Sequence, residues 1–205
     1  MHTGIFHTLD LERDGKTLSH LGLPFSVDRS PYFQVKVPVC VIRNGAGPSA
    51  LLLGGVHGDE YEGELSLARL IRKMDPFRMR GRVTILPLTN APAVLAARRC
   101  SPLDGGNLNR AFPGDPDGTP TRRLAHFLAS ELFPRHDIVF DIHSGGTSMT
   151  HLPLGADRAR RGLGAPRQGA RAHAPAWAAP WLRRRQRPTI SDIDGRGEAG
   201  WGGRS

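Results

Sequence analysis

Apolar positions along the chain change period several times, and each change marks an expected element. Residues 33–43 (FQVKVPVCVIR) alternate and are rich in Val, which predicts a strand. Asn44-Gly45 and Gly47-Pro48 supply turn chemistry, and residues 50–56 (ALLLGGV) read as a buried strand. In residues 60–74, Leu65, Leu67, Ala68, Leu70 and Ile71 recur at helical spacing, and Pro76 closes the segment. Residues 82–88 (RVTILPL) predict another strand. Residues 90–99, opening on a capping-type Asn90 and on Pro92, predict a short helix. Residues 120–133 are amphipathic, with Leu124, Phe127, Leu128 and Leu132 on one face, and residues 137–142 (DIVFDI) predict the last strand. Strands alternating with helices indicate an α/β fold with a mostly parallel or mixed sheet flanked by helices.

Two stretches lack any period. Residues 100–119 (CSPLDGGNLNRAFPGDPDGT) form a long loop, and loops of this length inside a compact domain are functional or disordered. The second begins near Ala156. Residues 156–188 contain no Ile, Val or Phe and only two Leu. That composition buries too little apolar surface to offset chain entropy. The expected organisation is therefore an α/β domain over residues 1–155 and an Arg/Ala/Pro/Gly-rich, disordered tail over residues 156–205. The tail is either a genuine basic extension or a truncated or frame-shifted reading of a longer gene; Arg, Ala, Gly and Pro from GC-rich codons favour the second.

Charge adds little to this division. The chain of 205 residues carries a formal +9, but residues 156–205 hold 11 Arg, no Lys and 4 acidic residues, a net +7. The rest is nearly neutral at +2. The basic excess lacks the lysines and interleaved aromatics of a nucleic-acid groove, so no nucleic-acid partner is expected. No apolar run approaches the ~20 residues of a membrane span, and the N-terminus has no signal-peptide pattern, so no membrane partner is expected. Cys40 and Cys100 are too few for a disulfide framework and fit a reducing cytoplasm.

Candidate chemistry concentrates where strands end. In residues 51–64 (LLLGGVHGDEYEGE) an apolar run ends in Gly54-Gly55, and His57 and Glu60 follow before the helical pattern starts. In residues 137–146 (DIVFDIHSGG) another apolar run ends in His143. Both histidines would emerge at the carboxyl edge of the sheet, where open α/β folds bind ligands. Two His and one Glu, with water in the fourth position, are a catalytic zinc set. An isolated H-x-x-E also suits ordinary loop histidines beside a helix start; the second His in an equivalent setting shifts the balance towards the metal. His126 and His136 instead flank or cap the helix around residues 124–133. Arg110, presented by the Gly-rich loop with Asn109 beside it, suits a substrate carboxylate. Arg98 and Arg99 offer a second cation near a scissile carbonyl or, equally, a solvated helix end. Asp59 and Glu62 favour the helix N-terminus through its dipole.

The segments GGVHGDEYEGE, SPLDGGNLNRAFPG and DIHSGG, in this order, make residues 30–155 resemble the succinylglutamate desuccinylase/aspartoacylase family of the zinc carboxypeptidase clan. Within it the chain is most similar to the N-acetyl-diaminobutyrate deacetylases of ectoine breakdown. The resemblance implies a zinc carboxypeptidase-like fold and one Zn2+ per chain, held by His57, Glu60 and His143. It also implies a carboxylate clamp of Asn109 and Arg110, and Arg99 as the arginine that polarises the carbonyl. The implied reaction is hydrolysis of the amide of a small N-acylated amino acid by a zinc-activated water. A glutamate would act as general base and then acid. That glutamate should lie well after His143; Glu198 is the candidate, with Asp192 a poorer one. Two alternatives stay open: a catalytically inactive metal-binding remnant, and a carboxypeptidase-like metallopeptidase. A third, nucleic-acid binding through the tail, ranks last.

Overall fold

The computed structural model describes residues 4–149; Glu198, Asp192 and the tail expected over residues 156–205 lie outside the described residues. Six strands form one sheet: β1 (Phe6–His7), β2 (Gly15–Pro24), β3 (Gln34–Asn44), β4 (Ser49–Leu53), β5 (Gly81–Leu86) and β6 (Ile138–Asp141). Their order is β1-β2-β3-β5-β4-β6. The sheet is mixed. β1, β2, β3 and β5 are joined antiparallel, whereas β4 lies parallel to both β5 and β6. The turn after β3 does not close a hairpin: the chain steps over one position into β4, and β5 later fills the gap.

Alternation in β3 explains why both faces are covered. Val35, Val37, Val39 and Val41 point to one side, where they join Leu51, Leu53 and Leu86 in the larger core. Cys40 and Ile42 point to the other, with Ile85 and Leu67. Helix α1 (Tyr61–Lys73) packs on this second side through Leu67, Leu70 and Ile71. Three further helices follow: α2 (Ala91–Leu95), α3 (Leu108–Ala111) and α4 (Pro120–Phe127). α4 continues through a π turn, Leu128–Leu132, into a 3-10 turn, Phe133–Arg135. The apolar face expected there is realised, since Leu124, Phe127, Leu128 and Leu132 are all buried in the larger core. His136 ends the segment as expected: its Nδ1 lies 2.7 Å from the Leu132 carbonyl oxygen and its Nε2 2.8 Å from Thr84 Oγ1.

Two details depart from the sequence pattern. The helix of residues 90–99 stops at Leu95, and Asn90 does not cap it; its Nδ2 instead donates to the Val56 carbonyl, 3.4 Å away. β2 has no counterpart among the expected strands. Its Leu18 faces away from Leu21 and Leu23, because Leu18 pairs with Cys40 whereas Leu21 and Leu23 pair with Val37 and Val35. The apolar positions of β2 thus break the period of two on which recognition of a strand depends.

Candidate metal centre

The two strands that carry the candidate histidines are neighbours. β4 and β6 run parallel in register, Leu53 opposite Asp141, so their carboxyl ends coincide. His57 follows the end of β4 and His143 the end of β6. The loop after β4 is locked to that after β5 by backbone bonds: Gly54 N–H to Leu86 O (2.9 Å), Thr89 N–H to Gly54 O (2.8 Å) and Asn90 N–H to Gly55 O (2.9 Å). Gly55 holds φ at +66°, and a Cβ there would approach Val94 Cγ2 to 2.8 Å, so the tight exit depends on glycine. Gly58 N–H then donates to Arg98 O at 2.9 Å. His57 is thereby buried beneath the sheet edge at 2% exposure.

Glu60 stands at the N-cap of α1 without capping it; its side chain turns instead towards the histidines. Oε1 lies 2.8 Å from His57 Nδ1 and accepts from Arg99 Nη1 at 3.1 Å. Oε2 lies 2.9 Å from His143 Nδ1 and accepts from the Ser144 N–H at 3.0 Å. The ligand atoms of His57, Glu60 and His143 all lie within 4.8 Å of one another, as in no other such group among the described residues. Burial raises the Glu60 carboxyl, but the Ser144 N–H and the two imidazoles outweigh it and hold the pKa below the usual carboxylate range. His143 is raised, first by its bond to Asp141, against the opposing effect of burial.

The donor chemistry fits a divalent zinc ion. Both Nδ1 atoms face one carboxylate, and both Nε2 atoms face acceptors: Asn107 Oδ1 at 3.2 Å from His57, and Asp141 Oδ2 at 2.8 Å from His143. Hydrogens retained on the outer nitrogens leave two inner lone pairs and the Glu60 oxygens converging on one point, a His2Glu set.

The other expected site residues are nearby in part. Arg99 reaches the cluster through Glu60, with its side chain 51% exposed. Asn109 and Arg110 both sit on α3, Asn109 half-buried and Arg110 exposed, and α3's N-cap residue Asn107 touches His57. Asn107 and Asp141 were not among the expected site residues. The signal for each is slight: a second Asn in NLN, and a carboxylate two residues before His143. Glu62, expected to favour the helix N-terminus, is held low first by a bond with the Ser144 side chain.

The profile of the succinylglutamate desuccinylase/aspartoacylase catalytic domain matches residues 46–180. The chain belongs to the succinylglutamate desuccinylase/aspartoacylase family. It is 44% identical over 178 residues to an N-alpha-acetyl-L-2,4-diaminobutyric acid deacetylase of Halomonas elongata, covering 83% of this chain and 51% of that protein. The product-bound ectoine utilization protein EutE (DoeB) of Ruegeria pomeroyi superposes with a TM-score of 0.68 at 47% identity, covering 70% of this chain and 44% of that one. A succinylglutamate desuccinylase/aspartoacylase of Rhodobacter sphaeroides gives 0.68 at 45% identity over 70% and 44%. The chain thus spans about half the length of the family members it matches. Among the described residues no helix is long and apolar enough to cross a membrane.

One acidic residue of this family member stands apart from the candidate metal cluster. Glu64, one turn after Glu60, is 7% exposed, and its Oε1 has no partner. Burial, aided by the charge of Asp59, pushes its pKa up to about 7. For a carboxyl raised in the folded state, the folded chain holds the extra proton between the unfolded value and about 7. The favourable contribution is therefore complete below the unfolded pKa and lost as pH rises through that upper value. Glu64→Gln, which imitates the neutral acid, is expected to exceed wild type in stability by up to about 3 kcal/mol at pH ~8 and to match it near pH ~4. Urea denaturation at the two pH values measures this; a pH-independent difference would refute it.

Proposed function

We propose that the chain is a zinc-dependent deacylase that hydrolyses the amide bond of a small N-acylated amino acid, with an N-acetyl-diaminobutyrate-like compound as substrate. The observation that carries this reading is the convergence of His57, Glu60 and His143 at the common carboxyl end of two adjacent parallel strands. The activity named for the Halomonas elongata relative supports the substrate class. Bound zinc supplies a water of lowered pKa and an electrophile for the amide carbonyl. His57, Glu60 and His143 hold the ion. Arg110 takes the substrate carboxylate through its planar fork, and Asn109 adds a neutral donor. Arg99, beside Glu60 and half open to solvent, directs positive charge at the carbonyl oxygen. Glu198 is the general base of this reading. The two free cysteines, Cys40 and Cys100, suit a cytoplasmic enzyme.

Acetate release from N-acetyl-diaminobutyrate, with and without added zinc, tests the proposal. Zinc-dependent release is expected. Arg99→Ala is expected to lower kcat/KM, measured at saturating zinc, by roughly 100-fold or more, the usual loss for one oxyanion donor. Because the chain spans half the length of its relatives, a second reading follows: a metal-binding form that does not turn over. Stoichiometric zinc without acetate release would select it.

A further inference from the structure

We propose that Asp141 is a positioning residue that fixes His143 in the tautomer needed to grip the metal; this rests on the zinc reading of the site. His143 is pinned at both ring nitrogens, Nδ1 towards Glu60 Oε2 at 2.9 Å and Nε2 towards Asp141 Oδ2 at 2.8 Å. With an ion seated between Nδ1 and Glu60, Nδ1 has to present its lone pair, and the Asp141 carboxylate, which only accepts hydrogen bonds, then holds the ring's one hydrogen on Nε2. Asp141 is the last residue of β6, and that strand is paired with β4 up to this residue, opposite Leu53. The acceptor is therefore mounted on the sheet rather than on a loop. His57 has a different arrangement: its Nε2 faces the neutral Asn107 Oδ1 at a longer 3.2 Å, from the loop that leads into α3. A charged acceptor at shorter range orients the ring more strongly. Of the two outer contacts, the one from Asp141 governs metal affinity more.

The test is zinc affinity by chelator competition on the full chain, with wild type, Asp141→Ala, Asp141→Asn and Asn107→Ala. Asp141→Ala is expected to weaken zinc binding by about 10–100-fold, the usual effect of losing an outer partner of a metal-bound histidine. Asp141→Asn, whose amide oxygen still accepts from Nε2–H, is expected to recover most of that loss, and Asn107→Ala to cost less than Asp141→Ala. Asp141 is 31% exposed, so its truncation opens no buried cavity, and melting curves of the metal-free variants should coincide. A measurement on zinc-loaded wild type alone gives a second readout: nitrogen-15 spectra should assign Nε2 of His143 as the protonated, slowly exchanging nitrogen. Equal zinc affinity in wild type and Asp141→Ala overturns the proposal, as does an Asp141→Asn as weak as alanine or a protonated Nδ1. Wild type that binds no zinc overturns the metal reading itself and the positioning role with it.

Discussion

Glu60→Ala is expected to lower zinc affinity by two to four orders of magnitude. Zinc sites built on four protein ligands are worth roughly 10–16 kcal/mol, so one ligand carries about 2.5–4 kcal/mol, a factor of roughly 60 to 700. Glu60 is more than an average ligand, because both its oxygens face the histidines and it is 4% exposed. Alanine would also leave Arg99 Nη1 and the Ser144 N–H without their acceptor. The metal-free protein should lose stability as well, since a buried polar group left unpaired costs about 1–3 kcal/mol. The pH dependence has a definite sign. The Glu60 carboxyl is held below its usual range, so its contribution is present above the unfolded pKa and fades as pH falls through the folded one. The stability gap between wild type and Glu60→Gln should accordingly narrow in acid. Chelator competition and denaturation at two pH values check both parts; unchanged zinc affinity in Glu60→Ala would remove Glu60 from the metal site.

What made this site legible in the sequence was strand geometry rather than the spacing of three residues. β4 and β6 are short apolar runs that each end in a histidine-bearing loop, and parallel neighbours bring such ends together. α1 and α4 were legible because Leu67, Leu70 and Leu124, Leu128 keep one helical face. The parts that escaped depend on events without a periodic signature. Ala97 takes a left-handed φ of 51°, ends α2 early and brings the Arg98 carbonyl to Gly58 N–H and Arg99 to Glu60. Nothing in an alanine announces that conformation. α3 spans only Leu108–Ala111, too few residues to display a period within residues 100–119. The outer partners Asn107 and Asp141 are set by the paths of two separate segments, which no local pattern encodes. Strand order escaped for the same reason, although a mixed sheet was among the expectations: β5 enters between β3 and β4 only through a long connection.

Gly58→Ala is expected to be the most destabilising single methyl addition in the loop that carries the candidate ligands His57 and Glu60. A Cβ at Gly58 would lie 2.0 Å from Ala93 C and 2.2 Å from both Ala93 O and Val94 N. These are backbone atoms of α2, so no rotamer change relieves the contact. The loop cannot simply lift away, because Gly58 N–H is bonded to Arg98 O at 2.9 Å and Glu60 N–H reaches back to His57 O at 3.4 Å. Moving it would pull His57 and Glu60 out of register with His143. Overpacking in a tight core costs about 1–3 kcal/mol, and a clash of backbone on backbone belongs at or above the top of that range. Gly105→Ala provides the contrast. That residue also has a positive φ, +67°, but nothing lies within 4 Å of a Cβ there. Only the conformational penalty of about 1–2 kcal/mol applies to it. Thermal melts should therefore rank Gly58→Ala well below Gly105→Ala, and zinc affinity should fall in the first alone. A Gly58→Ala protein that melts with wild type would mean that the close approach of the loop to α2 does not hold His57 in place, and the preorganisation of the metal site would need another source.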